Sequence, residues 1–122
     1  MRGRTAAGRE RGAVTAEAAM VLPLLVAATL GLVWLLALAT TQVRVTDAAR
    51  EVARAAARDE SPGTARALGA RVAPAGARID VGGGASTVEV SVEADVTGPG
   101  GIFRFLPAVT VEAEAVAARE AR

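Results

Sequence analysis

The sequence predicts an α+β protein: a long N-terminal transmembrane and amphipathic helix packed against a small three-stranded antiparallel β-meander. Three observations lead to it. The stretch Ala18–Val43 holds 26 residues without a charge. The stretch after it keeps helical spacing, with Val45, Ala49, Val52 and Ala56 stepping by 4, 3 and 4. Two later stretches, Thr87–Val96 and Val109–Val116, alternate apolar and polar residues with a period of two.

Composition narrows what such a chain can do. Its 122 residues allow one domain and little more. Hydrophobic residues make up 52% and aromatic residues 2%, so any core is built from Ala and Val. Leu is sorted: eight of ten lie between Leu22 and Leu38. There is no Cys, which excludes disulfides and thiolate metal sites. There is no His, Tyr or Lys, so a nucleophile has no ordinary activating base, and the chain reads as a non-enzyme without cofactor. A net charge of +1 argues against nucleic acid as a partner.

The elements follow in order. Residues 1–12 form a basic leader with Arg2, Arg4, Arg9 and Arg11. Residues 13–60 form the long helix. Its span 18–43 measures about 39 Å at 1.5 Å per residue, beyond the roughly 30 Å hydrocarbon core, and is read as transmembrane. Pro23 and Gly31 fall inside it, as bilayer helices tolerate. The amphipathic extension 44–60 sets its apolar stripe against a charged one of Asp47, Glu51, Arg54 and Arg58. Asp47–Arg50 and Glu51–Arg54 are i,i+3 pairs in the favourable order. Asp59-Glu60-Ser61-Pro62-Gly63 stops the helix. The Arg tally on the two sides of the apolar run is nearly tied, and the short N-terminal arm favours insertion with the N-terminus inside.

Residues 61–122 make the small ectodomain. Thr64–Val72 is expected as a short helix with Ala65, Leu68 and Val72 on one side, ended by Pro74-Ala75-Gly76. Arg78–Val81 is a short strand followed by a Gly82-Gly83-Gly84-Ala85 turn, which lacks the Lys-Ser or Lys-Thr of a phosphate loop. Thr87–Val96 points Val88, Val90, Val92, Ala94 and Val96 inward. Val109–Val116 does the same with Val109, Val111, Ala113 and Ala115. The carboxylates Glu89, Glu93, Asp95, Glu112 and Glu114 then share the outer face. Flat strands do not converge as a calcium site requires, so this is read as a solvated face or one meeting a basic partner. The loop Gly98–Pro107 carries both Phe residues of the chain. Phe103 and Phe105 either cap the thin core or form an apolar contact for a neighbouring subunit.

The leader ends Arg9-Glu10-Arg11-Gly12-Ala13-Val14-Thr15-Ala16-Glu17, directly before the apolar run. A basic stretch, a Gly, small residues and a carboxylate five positions after the Gly resemble the class III leader of type IV prepilins. Glycine at a scissile bond lets the backbone extend in a protease cleft without a side-chain clash. Glu17-Ala18-Ala19-Met20-Val21-Leu22-Pro23-Leu24-Leu25 followed by a small ectodomain is similar to the TadE-like minor pilins (pseudopilins) of the tight-adherence, or Flp, pilus system. Two features depart from that pattern: Ala18 stands where many relatives carry an aromatic residue, and Gly31–Leu36 lacks the second acid that many carry.

The resemblance implies a precursor in the bacterial cytoplasmic membrane, single-pass, with the N-terminus inside and the C-terminal domain outside. A prepilin peptidase would cut between Gly12 and Ala13. Glu17 would then meet the new N-terminal amine of a neighbouring pilin. The implied partners are the membrane, the peptidase, other pilin subunits and the platform proteins and ATPase of pilus assembly, and the implied role is adhesion at the cell surface. No small-molecule substrate or metal is implied. A second reading rests on Ala37-Leu38-Ala39, which fits a signal-peptidase site with Thr40 as mature start. The chain would then be a signal-anchored or secreted interaction protein without pilus assembly.

Overall fold

The computed structural model describes residues 2–98 and 107–120, with side chains from residue 7 onward. The element order is α1 (Arg2–Ala57), α2 (Pro62–Val72), β1 (Arg78–Gly83), β2 (Thr87–Val96) and β3 (Val109–Ala118). The expected α+β class is observed, with the three strands in the meander order β1-β2-β3 and both pairings antiparallel.

α1 starts at Arg2, well before the expected Ala13. Ala and Arg are strong helix formers, and the leader is rich in both, so it continues the helix although Gly8 and Gly12 weaken it. The chain divides into two units at Trp34–Leu35, and α1 contributes to both. In the first unit every side chain from residue 7 to residue 29 is exposed, Met20 at 81% and Leu24 at 70% among them. A helix apolar on all sides with nothing of its own chain over it is suited to lipid or to other helices. The helix from residue 7 to residue 57 is long and apolar enough to cross a membrane. The Thr hydroxyls of its apolar run bond inside the helix: Thr29 and Thr40 donate to the carbonyls of Leu25 and Leu36, each at 2.8 Å. This leaves no stray hydroxyl donor for lipid to desolvate.

In the second unit, residues 45–57 supply the helical side of the core. Val45, Ala49, Val52 and Ala56 are buried as expected, and Ala48, Ala53 and Ala55 widen the stripe. They join one cluster with Val88, Val90, Val92 and Ala94 of β2, flanked by Ile79, Val81, Val111, Ala113, Ala115 and Ala117. The largest fully buried side chains are all Val. Val109, expected inward, is 39% exposed because it is the first residue of its strand. Of the two expected helix ion pairs, Glu51–Arg54 forms at 3.7 Å, and Asp47–Arg50 does not.

α1 ends in a Schellman motif. Asp59 adopts φ 63°, the Asp59 amide donates to Ala56 O at 3.1 Å, and the Glu60 amide donates to Ala55 O at 3.3 Å. A third late carbonyl, Ala57 O, accepts the amide of Glu120 at 3.1 Å, which ties the residue after β3 to the helix end. Ser61 then caps α2: its Oγ accepts the Thr64 amide at 3.2 Å, with Pro62 as the first helical residue. That cap explains why α2 begins two residues before the expected Thr64. Val72, expected on the buried side of α2, is exposed; Gly69 takes that place beside Ala65. β1 extends past the expected Val81, because Gly82 and Gly83 still pair with Glu89 and Val88. Gly83 holds φ 122° against the backbone of Thr87 and Val88, a geometry and a clearance that only Gly accepts. The loop carrying Phe103 and Phe105 lies outside the described residues.

Gly69 is where α2 meets α1: a Cβ there would collide with Val52 Cγ2 and touch Ile79 Cδ1 at 3.4 Å. Gly69→Ala gains about 1 kcal/mol of helix propensity. Overpacking a filled site costs about 1–3 kcal/mol. We expect a lower melting temperature for the full chain in detergent micelles, followed by circular dichroism, and partial rescue by Val52→Ala in the same chain. A melting temperature raised by Gly69→Ala alone would show that α2 does not seat on Val52.

Candidate processing and assembly site

The residues Gly12, Ala13 and Glu17 sit on consecutive turns of α1, all exposed. The space beside Gly12 is open, with nothing within 4 Å of where a Cβ would stand. Packing therefore does not require Gly at this position, and its helical backbone does not require it either. A helix-interior Gly costs about 1 kcal/mol relative to Ala, so the fold gains nothing from it locally. What Gly12 contributes is a point where the helix unwinds more readily. Thr15 Oγ1 donates to Arg11 O at 2.8 Å, one turn back across the Gly12–Ala13 bond.

Ala13 and Glu17 are four residues apart and share one helix face. Among the described residues no ion pair reaches Glu17. Glu17 stands at the edge of the apolar run, with Ala13, Val14, Met20 and Val21 one turn to either side on its helix face.

The ectodomain presents a second candidate surface. Register places Glu89, Glu93, Asp95, Glu112 and Glu114 on one face, as their spacing predicts. It adds Asp80, which sits opposite Ser91, and Arg78, which sits opposite Glu93. Neither was legible as part of this face before the β1 register was known. Arg78 bridges two of the acids, Nη2 to Glu93 Oε2 and Nη1 to Asp95 Oδ2, each at 3.3 Å. Thr110 Oγ1 donates to Asp95 Oδ1 at 2.8 Å, and Ser91 Oγ donates to Glu112 Oε1 at 3.2 Å. Glu112 stands directly opposite Glu93, a like-charge pair that the Ser and Arg donors offset. A shallow hollow of about 320 Å³ lies on this face among Asp80, Glu89, Ser91 and Glu114. Among the described residues no group of three or more metal-ligating side chains converges.

The Asp95 carboxyl is held below its ordinary value by the hydrogen bond from Arg78, then by that from Thr110 and the Arg78 charge. Arg78 in turn is held more firmly protonated by Asp95 and then Glu93. A depressed carboxyl contributes stability that is complete above its unfolded value of about 3.9 and is lost as pH falls toward the lower folded value. The full chain should therefore melt progressively lower as pH drops below about 4. Asp95→Asn should flatten that acid limb, measured by circular dichroism between neutral and strongly acidic pH. An unchanged acid limb would mean that the Arg78–Asp95 contact is not maintained in solution.

The chain was compared with known proteins. No curated protein and no solved structure matches it. One family model matches, that of the TadE-like proteins, over residues 12–54. The match begins at Gly12, includes Glu17 and the whole apolar run, and ends on the core-forming part of α1. The similarity to TadE-like proteins covers the helical segment from Gly12 to Arg54.

Proposed function

We propose that this protein is a minor pilin, or pseudopilin, of a tight-adherence pilus, trimmed after Gly12 and assembled with other pilins through Glu17. The TadE-like segment associates the chain with that pilus system and with the membrane. The observation that carries the finer reading is the pairing of an unpacked Gly12 with Glu17 one turn past the proposed cut, ahead of a helix exposed on every side. The precursor inserts with the basic leader in the cytoplasm and the ectodomain outside. A prepilin peptidase removes residues 1–12, and the new amine of Ala13 is a cation at the edge of the apolar run.

Left alone inside a bundle of helices, that amine and the Glu17 carboxylate would each be costly. Paired between adjacent subunits they neutralise one another and set the axial register. Ala13 and Glu17 of one chain are also one turn apart, so the same pair can close within a subunit before assembly. The subunit then takes part in adhesion as a component of the fibre or of its assembly complex. Phe103 and Phe105 are proposed as a further subunit contact.

N-terminal sequencing of the mature protein separates this reading from the secretory one. We expect Ala13; Thr40 would instead assign cleavage after Ala39. Gly12→Leu should insert normally and persist as the precursor, longer by 12 residues. Glu17→Gln should still be cut and still be held in the membrane, yet be depleted at least ten-fold from sheared pili. Incorporation of the Gln variant at the wild-type level would reduce Glu17 to a marker of the membrane boundary.

A further inference from the structure

The sheet has two edges, and they are treated differently. β1 is six residues long and packs with α2. β3 is ten residues long, contains no Pro, carries charge only at Glu112 and Glu114, and pairs with β2 on one side only. Natural edges are ordinarily guarded by charge, Pro, bulges or cover, because an open edge is a template for another strand.

The direction of the free backbone groups is set by three bonds. Glu112 O accepts Gln42 Nε2 at 3.1 Å, and the Glu120 amide donates to Ala57 O at 3.1 Å, so the even-numbered residues face away from β2. The Arg119 amide donates to Ser86 O at 2.9 Å, so the odd-numbered residues face toward β2. Helix contacts thus pin the two ends of the edge. Between them, among the described residues, the amides and carbonyls of Glu114, Val116 and Ala118 have no bonding partner. Val116 is 66% exposed. A groove of about 310 Å³ runs beside this stretch, walled by Arg50, Ala53, Arg54 and Ala57 of α1 and by Ala115–Ala117.

We propose that the β3 edge from Glu114 to Ala118 takes an extended, basic segment of a partner protein as a fourth strand. Main-chain bonds supply the affinity and alternate side chains the specificity. Charge selects the occupant. The outer face holds six carboxylates, Asp80, Glu89, Glu93, Asp95, Glu112 and Glu114, against Arg78. A second copy of β3 would bring Glu112 and Glu114 again onto that face, whereas Arg or Lys at alternate positions of the incoming strand would lie beside them. The opposite, uncharged side chains of the incoming strand would enter the groove among Ala53, Ala57 and Ala115–Ala117, which Arg50, Arg54 and Glu120 also line. This inference does not depend on the pilus reading.

The test uses the full chain in nanodiscs and a blocked peptide Thr-Arg-Val-Arg-Val-Arg-Thr, with Glu replacing Arg in its control. Amide exchange is read by NMR. The Arg peptide should slow exchange at Glu114, Val116 and Ala118 at least ten-fold, and the Glu peptide should not. Val116→Pro removes an edge-facing amide and no ladder bond, so the sheet should persist while Arg-peptide binding falls ten-fold or more. If that variant does not fold, Glu112→Gln with Glu114→Gln serves instead, with an expected loss of at least three-fold. No protection of these three amides at millimolar peptide, or equal binding of the Glu peptide, overturns the proposal. Protection that grows with protein concentration and no peptide overturns it in favour of a second copy.

Discussion

Everything outside the apolar span rests on one contact, the seating of an Ala-rich helix face on a Val-rich strand. Val45, Ala48, Ala49, Val52 and Ala55 of α1 meet Val88, Val90 and Val92 of β2 with almost no residual exposure. Ala lets the helix approach closely, and β-branched Val packs well on a pleated surface. Short side chains bury little area each, at about 25 cal/mol per Å², so such a core works only if it is tight throughout. The Gly69 contact with Val52, the Schellman end of α1 and the Ser61 cap all follow from that requirement. Each lets a backbone come close without leaving a polar group unpaired.

The same economy explains the contrast between the two parts of α1. Residues 45–57 are small on one face and charged on the other, which suits a helix that buries one side. Residues 18–29 are apolar and exposed on every side, which suits a helix whose surroundings are not its own chain. The Leu sorting noted in the sequence is this difference in solvent written as composition: Leu where lipid or other helices touch, Val and Ala where the chain touches itself.

Most of the architecture was legible because both periods are clean. The 3.6 stripe of Val45, Ala49, Val52 and Ala56 and the strict alternation of Thr87–Val96 each name a buried face without reference to the rest of the chain. What was not legible depends on partners distant in sequence. The helical leader carries no apolar period to announce it. Val72 continues the α2 stripe on paper, yet Gly69 is the residue that fits against Val52. Asp80 and Arg78 join the acidic face only once β1 is in register with β2. For the proposed processing site, Gly12, Ala13 and Glu17 stand out in the sequence as a local pattern, and the structure adds that nothing packs on Gly12. The open edge of β3 could not be read at all, since which strand lies outermost is a property of the pairing order.

The link between Ala57 and Glu120 has a mechanical consequence. Gln42 reaches Glu112 and Ala57 reaches Glu120, so residue numbers rise together along the helix and along β3. Two elements that run side by side in the same sense are loaded in shear when tension enters at the N-terminal side of one and the C-terminal end of the other. In shear, the contacts between them share the load and must fail together. In the opposed geometry they would peel apart one at a time. A domain held this way yields late under a pull along its helix, even though its core is small.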